Sequence, residues 1–167
     1  MNYPTKIIRF VDEYDFLSNF YPSKVFLNDI GKDKDRVYYK TVEHAYQASK
    51  TLNPKIRSKV KRKHGPGQAK QFGRTIILRD DWDNIKVDIM YKIVFRKFIH
   101  NKELRDKLLR TGKAKLIEGN YWNDKFWGVC LKTEVGDNNL GKILMSIRSM
   151  IRKNINNKAW FRRSLDA

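Results

Sequence analysis

Tyr39-Lys40-Thr41-Val42-Glu43-His44-Ala45-Tyr46-Gln47-Ala48-Ser49-Lys50 is the stretch on which the fold turns. Thr41 is a residue of N-cap type, and the texture after it is helical. On that helix Glu43, Tyr46, Gln47 and Lys50 stand at i, i+3, i+4 and i+7, so they share one face. Ala45 and Ala48 lie on other faces and allow close packing there. A carboxylate, a phenol, an amide and an amine on one stripe has two readings. It is either a set that faces a ligand or the solvated stripe of an exposed helix.

Working backwards, Lys6–Val11 (KIIRFV) reads as a strand. Val25–Leu27 and Val37–Tyr39 alternate apolar with polar residues around the polar link 28–36, which predicts a hairpin with a long loop. Forwards, Asn53-Pro54 opens a second helix to about Lys63, and His64-Gly65-Pro66-Gly67 is a break. A short helix over 68–74 follows the break. Asp80-Asp81 precedes a long helix carrying Trp82, Ile85, Ile89, Ile93 and Val94. Asn101 caps another helix, with Leu104, Leu108 and Leu109 inward and Gly112 as its stop. Lys115–Glu118 and Phe126–Leu131 read as short strands around an aromatic loop. A last strong helix over 139–153 carries Leu140, Ile143, Leu144, Ile147 and Ile151. The expected class is α+β: a mainly helical single domain with a small β-sheet or hairpin from the N-terminal 40 residues. Residues 1–153 form the expected domain, and 154–167 a basic C-terminal tail.

Composition sets the outer bounds. The chain has 167 residues, 41% of them hydrophobic and 13% aromatic, which is enough for a core and excludes general disorder. No apolar run approaches the roughly 20 residues of a membrane helix, and the first residues show no secretory h-region. Cys130 is the single cysteine, so no internal disulfide forms. With His44, His64 and His100 scattered, no metal site and no cofactor is implied. The expected setting is cytoplasmic and reducing, with no membrane partner.

Lys and Arg number 36 against 18 Asp and Glu, a formal charge of +18. Lys50 to Arg79 holds ten basic residues and no acid, and 142–167 holds seven basic residues against Asp166. Such a pattern is either a polyanion-binding face or a solvated helix face. Lys70 and Arg74 represent the first run. In the tail, Arg162 and Arg163 follow Trp160 and Phe161, so aromatics can stack bases while arginines pair phosphates, or can pack the tail onto the domain.

Three further clusters carry candidate chemistry. The loop Glu118–Gly128 (EGNYWNDKFWG) sets Tyr121, Trp122, Phe126 and Trp127 beside Asn120, Asn123 and Asp124. Aromatics can hold a flat base while a carboxylate works on the adjoining sugar; the alternative is a turn with core aromatics. Gly136–Gly141 (GDNNLG) opens the last helix, where free N–H groups, with Asn138, suit a phosphate. The same turn is also an ordinary helix cap. In Phe16–Phe20 (FLSNF), Ser18 and Asn19 either orient a ligand or tie down a loop. Trp82 is either a stacking platform or the first core residue of its helix.

These blocks, taken in order, resemble the NADAR, or YbiA-like, domain family. DFLSNFYPS and the 39–50 stretch match its front. Gly67–Lys70, Gly73-Arg74, Asp81-Trp82, Met90 and Lys97-Phe98 follow. Then come Asn101, Glu103-Leu104, Leu108-Leu109, Thr111, Glu118, Asp124, Trp127-Gly128, Asn138, Leu140-Gly141, Leu144-Met145 and Ile147-Arg148. The resemblance covers about 6–153. The turn before Asn138 is shorter than the family's usual Gly-rich stretch, and the residues after Lys153 have no counterpart. The resemblance implies an N-glycosidase that cuts a ribose C1–N bond. Family substrates include phosphoribosylamino-pyrimidine intermediates of riboflavin synthesis and ADP-ribose attached to guanine in nucleic acid. Glu43, Trp82 and Asp124 are carried over as functional positions, and Lys50 as the candidate for attack on C1.

The expected catalytic set is therefore Glu43, Lys50 and Asp124. Ser18, Asn19, Tyr46, Gln47, Trp82, Trp122, Trp127 and Asn138 are the expected substrate contacts, and Lys70, Arg74, Arg162 and Arg163 the phosphate or nucleic-acid face. An oxocarbenium-like C1 calls for a nearby carboxylate. An amine nucleophile must be neutral, and the cations around Lys50 disfavour its proton. The charge makes ADP-ribosylated nucleic acid the favoured substrate over a ribosylated small molecule. A non-catalytic module that binds nucleic acid or ADP-ribose, and an antitoxin-like partner-binding module, are the other readings.

Overall fold

The structure, a computed structural model, describes residues 4–29 and 32–166. It is mixed α+β and mainly helical, and its described residues fall into two compact units. One unit comprises Asn19–Lys97; the other is built from Met1–Ser18 together with Phe98–Ala167.

The Asn19–Lys97 unit is organised around one short helix. Strands β2 (Val25–Asp29) and β3 (Lys32–Tyr39) form an antiparallel hairpin, with Val25 opposite Tyr39 and Asp29 opposite Lys32. The expected long polar loop over 28–36 is thus largely strand. Asn, Asp and Lys have weak strand propensity, but a hairpin ladder hydrogen-bonds through the backbone and continues past the apolar positions. A register shift lies between Asn28 and Asp29. Residues 30 and 31 of the link lie outside the described residues. Helix α1 (Val42–Ser49) follows, then α2 (Pro54–Lys61), α3 (Pro66–Gly73) and α4 (Trp82–Ile99). All eight residues of α1 are buried, against the hairpin, α2 and α3. Asn53 caps α2 by accepting from the Lys55 and Ile56 N–H groups, as its place before Pro54 predicts. On α4, Met90, Ile93 and Val94 are fully buried. Arg96 of α4 donates to the Phe26 carbonyl at 3.0 Å, and its guanidinium lies 4.4 Å from the Phe26 ring.

In the other unit, β1 (Lys6–Ile7) is short and pairs in parallel with β4 (Lys115–Leu116). A 3₁₀ helix over Asp12–Leu17 follows β1. Helix α5 (Lys102–Arg110) starts at Asn101, whose side chain accepts from the Leu104 N–H. Gly112 takes φ 62° at its end, a left-handed conformation that costs glycine little. Strands β5 (Gly119–Asn120) and β6 (Val129–Cys130) are a second parallel pair. The apolar stripe of α6 (Asn139–Lys153), Leu140 to Ile151, is buried at every expected position. Leu109 of α5, expected inward, is half-buried. Buried Arg148 ties α6 to the end of α5, donating to Thr111 Oγ1 at 2.6 Å and to the Ala114 carbonyl at 2.8 Å. Within the expected tail 154–167, residues Lys158–Asp166 form a further helix, α7.

Among the described residues no helix is long and apolar enough to cross a membrane.

Candidate active site

Helix α1 is held at its start by three side-chain and main-chain anchors. The Thr41 hydroxyl accepts from the His44 N–H. The Glu43 N–H donates to the Asn19 carbonyl at 3.0 Å, so Asn19 serves α1 through its backbone. His44 is fully buried, with Nε2 3.2 Å from the Lys63 carbonyl and Nδ1 2.8 Å from the Thr41 hydroxyl. A carbonyl only accepts, so Nε2 carries the hydrogen and Nδ1 accepts from Thr41. Burial holds the His44 pKa below its ordinary range, outweighing its bond to the Lys63 carbonyl.

The polar stripe of α1 is buried, which rules out the solvated-stripe reading. Glu43 is 5% exposed and Gln47 4%. Gln47 Nε2 donates to Glu43 Oε1 at 2.7 Å. Gln47 Oε1 and Asn19 Oδ1 are buried and meet no donor. Asn19 Nδ2 reaches only the soft Met90 sulfur, at 3.5 Å. Two buried amide oxygens without donors, beside a carboxylate, suit a ligand rich in hydroxyl or N–H groups.

Lys50 stands one turn beyond Gln47, half-buried at the C-cap of α1. Its ammonium donates to the Gly73 carbonyl at 3.2 Å, and its own carbonyl accepts from the Arg79 N–H at 2.8 Å. Burial pushes the Lys50 pKa down; Glu43 opposes this, and Lys70 and Arg74 add to it. The expected lowering is present, but its main cause is desolvation. Of the ten-cation run, Lys70 and Arg74 on and beside α3 are the members that act on this amine.

Tyr46 and Trp82 are both buried, with ring centroids 5.1 Å apart. Trp82, 5% exposed, is therefore packed against Tyr46 rather than presented as an open platform. Gly73 makes a close approach that the sequence does not flag: a Cβ there would fall 1.8 Å from Gln47 Oε1. Lys97 is buried, 2% exposed, with its ammonium 5.5 Å from the Tyr21 ring centroid.

The aromatic loop belongs to the other unit. Asn120, 1% exposed, organises it. Its Nδ2 donates to the Asp124 and Val129 carbonyls, and its Oδ1 accepts from the Asp124 N–H at 2.9 Å. Asp124 Oδ1 in turn accepts from the Trp127 N–H at 2.9 Å. One carboxylate oxygen of Asp124 thus shapes the turn. Trp127 is half-buried edge-on to Phe126, at 4.9 Å. Trp122 is 65% exposed and presents its indole to solvent.

The Gly136–Gly141 turn does not offer the free N–H groups expected of a phosphate seat. The N–H groups of residues 137–140 donate to the carbonyls of Lys125, Gly128, Phe126 and Trp127. Asn138 accepts from the Glu118 N–H and donates to the Leu116 carbonyl. A helix N-terminus can also be satisfied by a folded loop, and here that loop is the aromatic one. Ser18 ends the 3₁₀ helix, its N–H donating to the Asp15 carbonyl. Arg162 and Arg163 sit exposed on α7.

Buried acceptors thus stand beside a desolvated amine on one short helix of an α+β fold. Comparison with known proteins supplies the class. The NADAR domain model matches residues 8–152. N-glycosidase Npun_R5314 of Nostoc punctiforme is 40% identical over 144 residues, covering 83% of this chain and 86% of that one. N-glycosidase YbiA of Escherichia coli is 36% identical, covering 84% and 83%. The riboflavin biosynthesis protein PYRR of Zea mays is 35% identical over 89% of this chain and 26% of its own length. The solved structure of Escherichia coli YbiA superposes with a TM-score of 0.76 at 32% identity, covering 92% and 89%. The chain belongs to the NADAR domain family. Membership places it among the N-glycosyl hydrolases.

Proposed function

We propose that this chain hydrolyses a ribose C1–N bond and that its substrate is ADP-ribose attached to guanine in nucleic acid. The observation that carries the chemistry is Lys50: an amine desolvated by burial, with Lys70 and Arg74 adding to the lowering of its pKa and Glu43 opposing it. Such an amine reaches its neutral, nucleophilic form nearer to neutral pH.

Ring opening converts the sugar C1 of an N-glycosylamine into an imine with the base nitrogen. Neutral Lys50 adds to C1, a proton moves to the base nitrogen, and the C1–N bond breaks to release the base amine. Lys50 is left joined to C1 as a Schiff base. Water adds to C1 and expels Lys50, giving the free sugar. Glu43, locked by Gln47, moves the protons. Asn19 and Gln47 accept from sugar hydroxyls. Asp124 is the second carboxylate that the family resemblance implies for the hydrolysis. The strongly basic composition supports a polyanionic substrate. A phosphoribosylamino-pyrimidine is the second reading, favoured by the similarity to a riboflavin biosynthesis protein.

Release of free ADP-ribose from ADP-ribosylated DNA, measured beside hydrolysis of the phosphoribosylamino-pyrimidine, separates the two substrates. Borohydride added during turnover should trap sugar on Lys50, detected by peptide mass. An absent adduct together with near-normal activity in Lys50→Ala refutes the Schiff base and leaves direct attack by water.

A further inference from the structure

Helix α7 lies outside the family match, yet it builds half of a groove. About 600 Å³ in volume, the groove is lined by Lys102, Arg105 and Asp106 of α5, by Ile155, and by one face of α7. That face is Lys158, Phe161, Arg162 and Leu165, spaced i, i+3, i+4 and i+7, so two cations and two apolar side chains share one stripe. The volume falls within the range of about 300–1,000 Å³ that holds small organic ligands.

The charges are arranged for a polyanion. Four cations face one carboxylate, and that carboxylate, Asp106, is already taken by Lys102 at 2.7 Å. Lys158 and Arg162 have no acidic partner among the described residues. Arg105 is held by a bond from Nη1 to the Ile99 carbonyl at 2.9 Å. Its guanidinium carbon lies 5.0 Å from the centroid of the Phe161 ring. Its Nε is buried without an acceptor, a donor that a ligand oxygen would satisfy. Arg163 is not on this face, so the structure separates the two arginines that the sequence places together.

We infer that the α5–α7 groove binds single-stranded nucleic acid. The cations take the phosphates, and a base packs on the Phe161–Arg105 surface, the pairing of charge and π-face that single strands use. An acidic peptide would need the cations but not the ring. A duplex would hide its base faces. The inference builds on the nucleic-acid reading of the substrate, and gives the strand a holding point separate from the chemistry on α1.

Fluorescence anisotropy on the full chain tests it, with an unmodified labelled oligo-dT, a duplex of the same length and a poly-glutamate peptide as probes. None carries ADP-ribose, so the outcome is independent of whether the glycosidase reading holds. The single strand should bind tightest. Four phosphate contacts give a slope of log K against log salt of roughly −3. Lys158→Ala/Arg162→Ala should weaken binding about tenfold and reduce that slope by about 1.4. Alanine suits an exposed helix, so α7 should stay folded, checked by circular dichroism. Lys59→Ala/Lys61→Ala on α2 removes equal charge elsewhere and should change affinity less than twofold. Equal weakening by both pairs, no binding of oligo-dT, or tighter binding of the duplex or the peptide overturns the inference.

Discussion

Gly73→Ala is the sharpest probe of the proposed site because one methyl group meets the amide that holds Glu43. Gly73 ends α3 with ordinary helical geometry, so the backbone accepts alanine without strain. The new Cβ would stand 1.8 Å from Gln47 Oε1, 2.5 Å from its Cδ and 3.0 Å from its Cγ. The amide must move, and its 2.7 Å bond to Glu43 goes with it. A hydrogen bond to a charged group contributes about 1.5–3 kcal/mol, and overpacking costs about 1–3 kcal/mol. Better helix propensity offsets up to about 1 kcal/mol. A net loss of about 3 kcal/mol lowers Tm by roughly 6–12 °C in a chain of this size. Activity should fall about 10–100-fold, because Glu43 loses the partner that orients it. Adding Gln47→Ala removes the clash. The double variant should therefore recover the overpacking share of the Tm loss of Gly73→Ala, not the share from the lost hydrogen bond, and none of its activity. Scanning calorimetry and the ADP-ribose release assay provide both readings. A Gly73→Ala protein with wild-type Tm and wild-type rate would show that Gln47 has room the structure denies it, and the reasoning would fail.

Two further predictions concern charge. His44 is buried with its pKa lowered from 6.5, so below about pH 6.5 the unfolded chain binds the proton that the folded chain refuses. Stability is full above that pH and declines toward the folded pKa, with a slope approaching about 1.4 kcal/mol per pH unit. Urea titrations should show this limb in the wild type and not in His44→Gln; the same limb in both proteins would assign it to other groups. Asp124 combines a turn contact with the proposed chemistry. Asp124→Asn keeps an oxygen for the Trp127 N–H but loses the charge, whereas Asp124→Ala loses both. Both should slow hydrolysis about 10²–10⁴-fold, while the alanine alone lowers Tm by about 2–4 °C. A wild-type rate in Asp124→Asn would remove the carboxylate from the mechanism.

The sequence by itself determined the helices and the ordered blocks that identify the family. The stripe of α6, the caps Thr41, Asn53 and Asn101, and the break at 64–67 are local patterns, and local patterns are written in spacing and side-chain type. It also brought Glu43, Tyr46, Gln47 and Lys50 to one face, since helix periodicity alone does that. Strand ends were less legible: Lys6–Val11 shortens to Lys6–Ile7, and the polar link of the hairpin becomes strand, because pairing partners are non-local.

Tertiary structure decided burial and partnership. Spacing cannot say whether a polar stripe faces water, and the burial of Glu43 and Gln47 comes from α2, α3 and the hairpin closing over α1. The same burial, more than the neighbouring cations, depresses Lys50, because desolvation of an amine depends on its surroundings and not on the charge of the chain around it. Packing likewise turned Trp82 inward onto Tyr46, spent the N–H groups at the start of α6 on the aromatic loop, and made the contact between Gly73 and Gln47, 26 positions apart, one of the tightest constraints on the site.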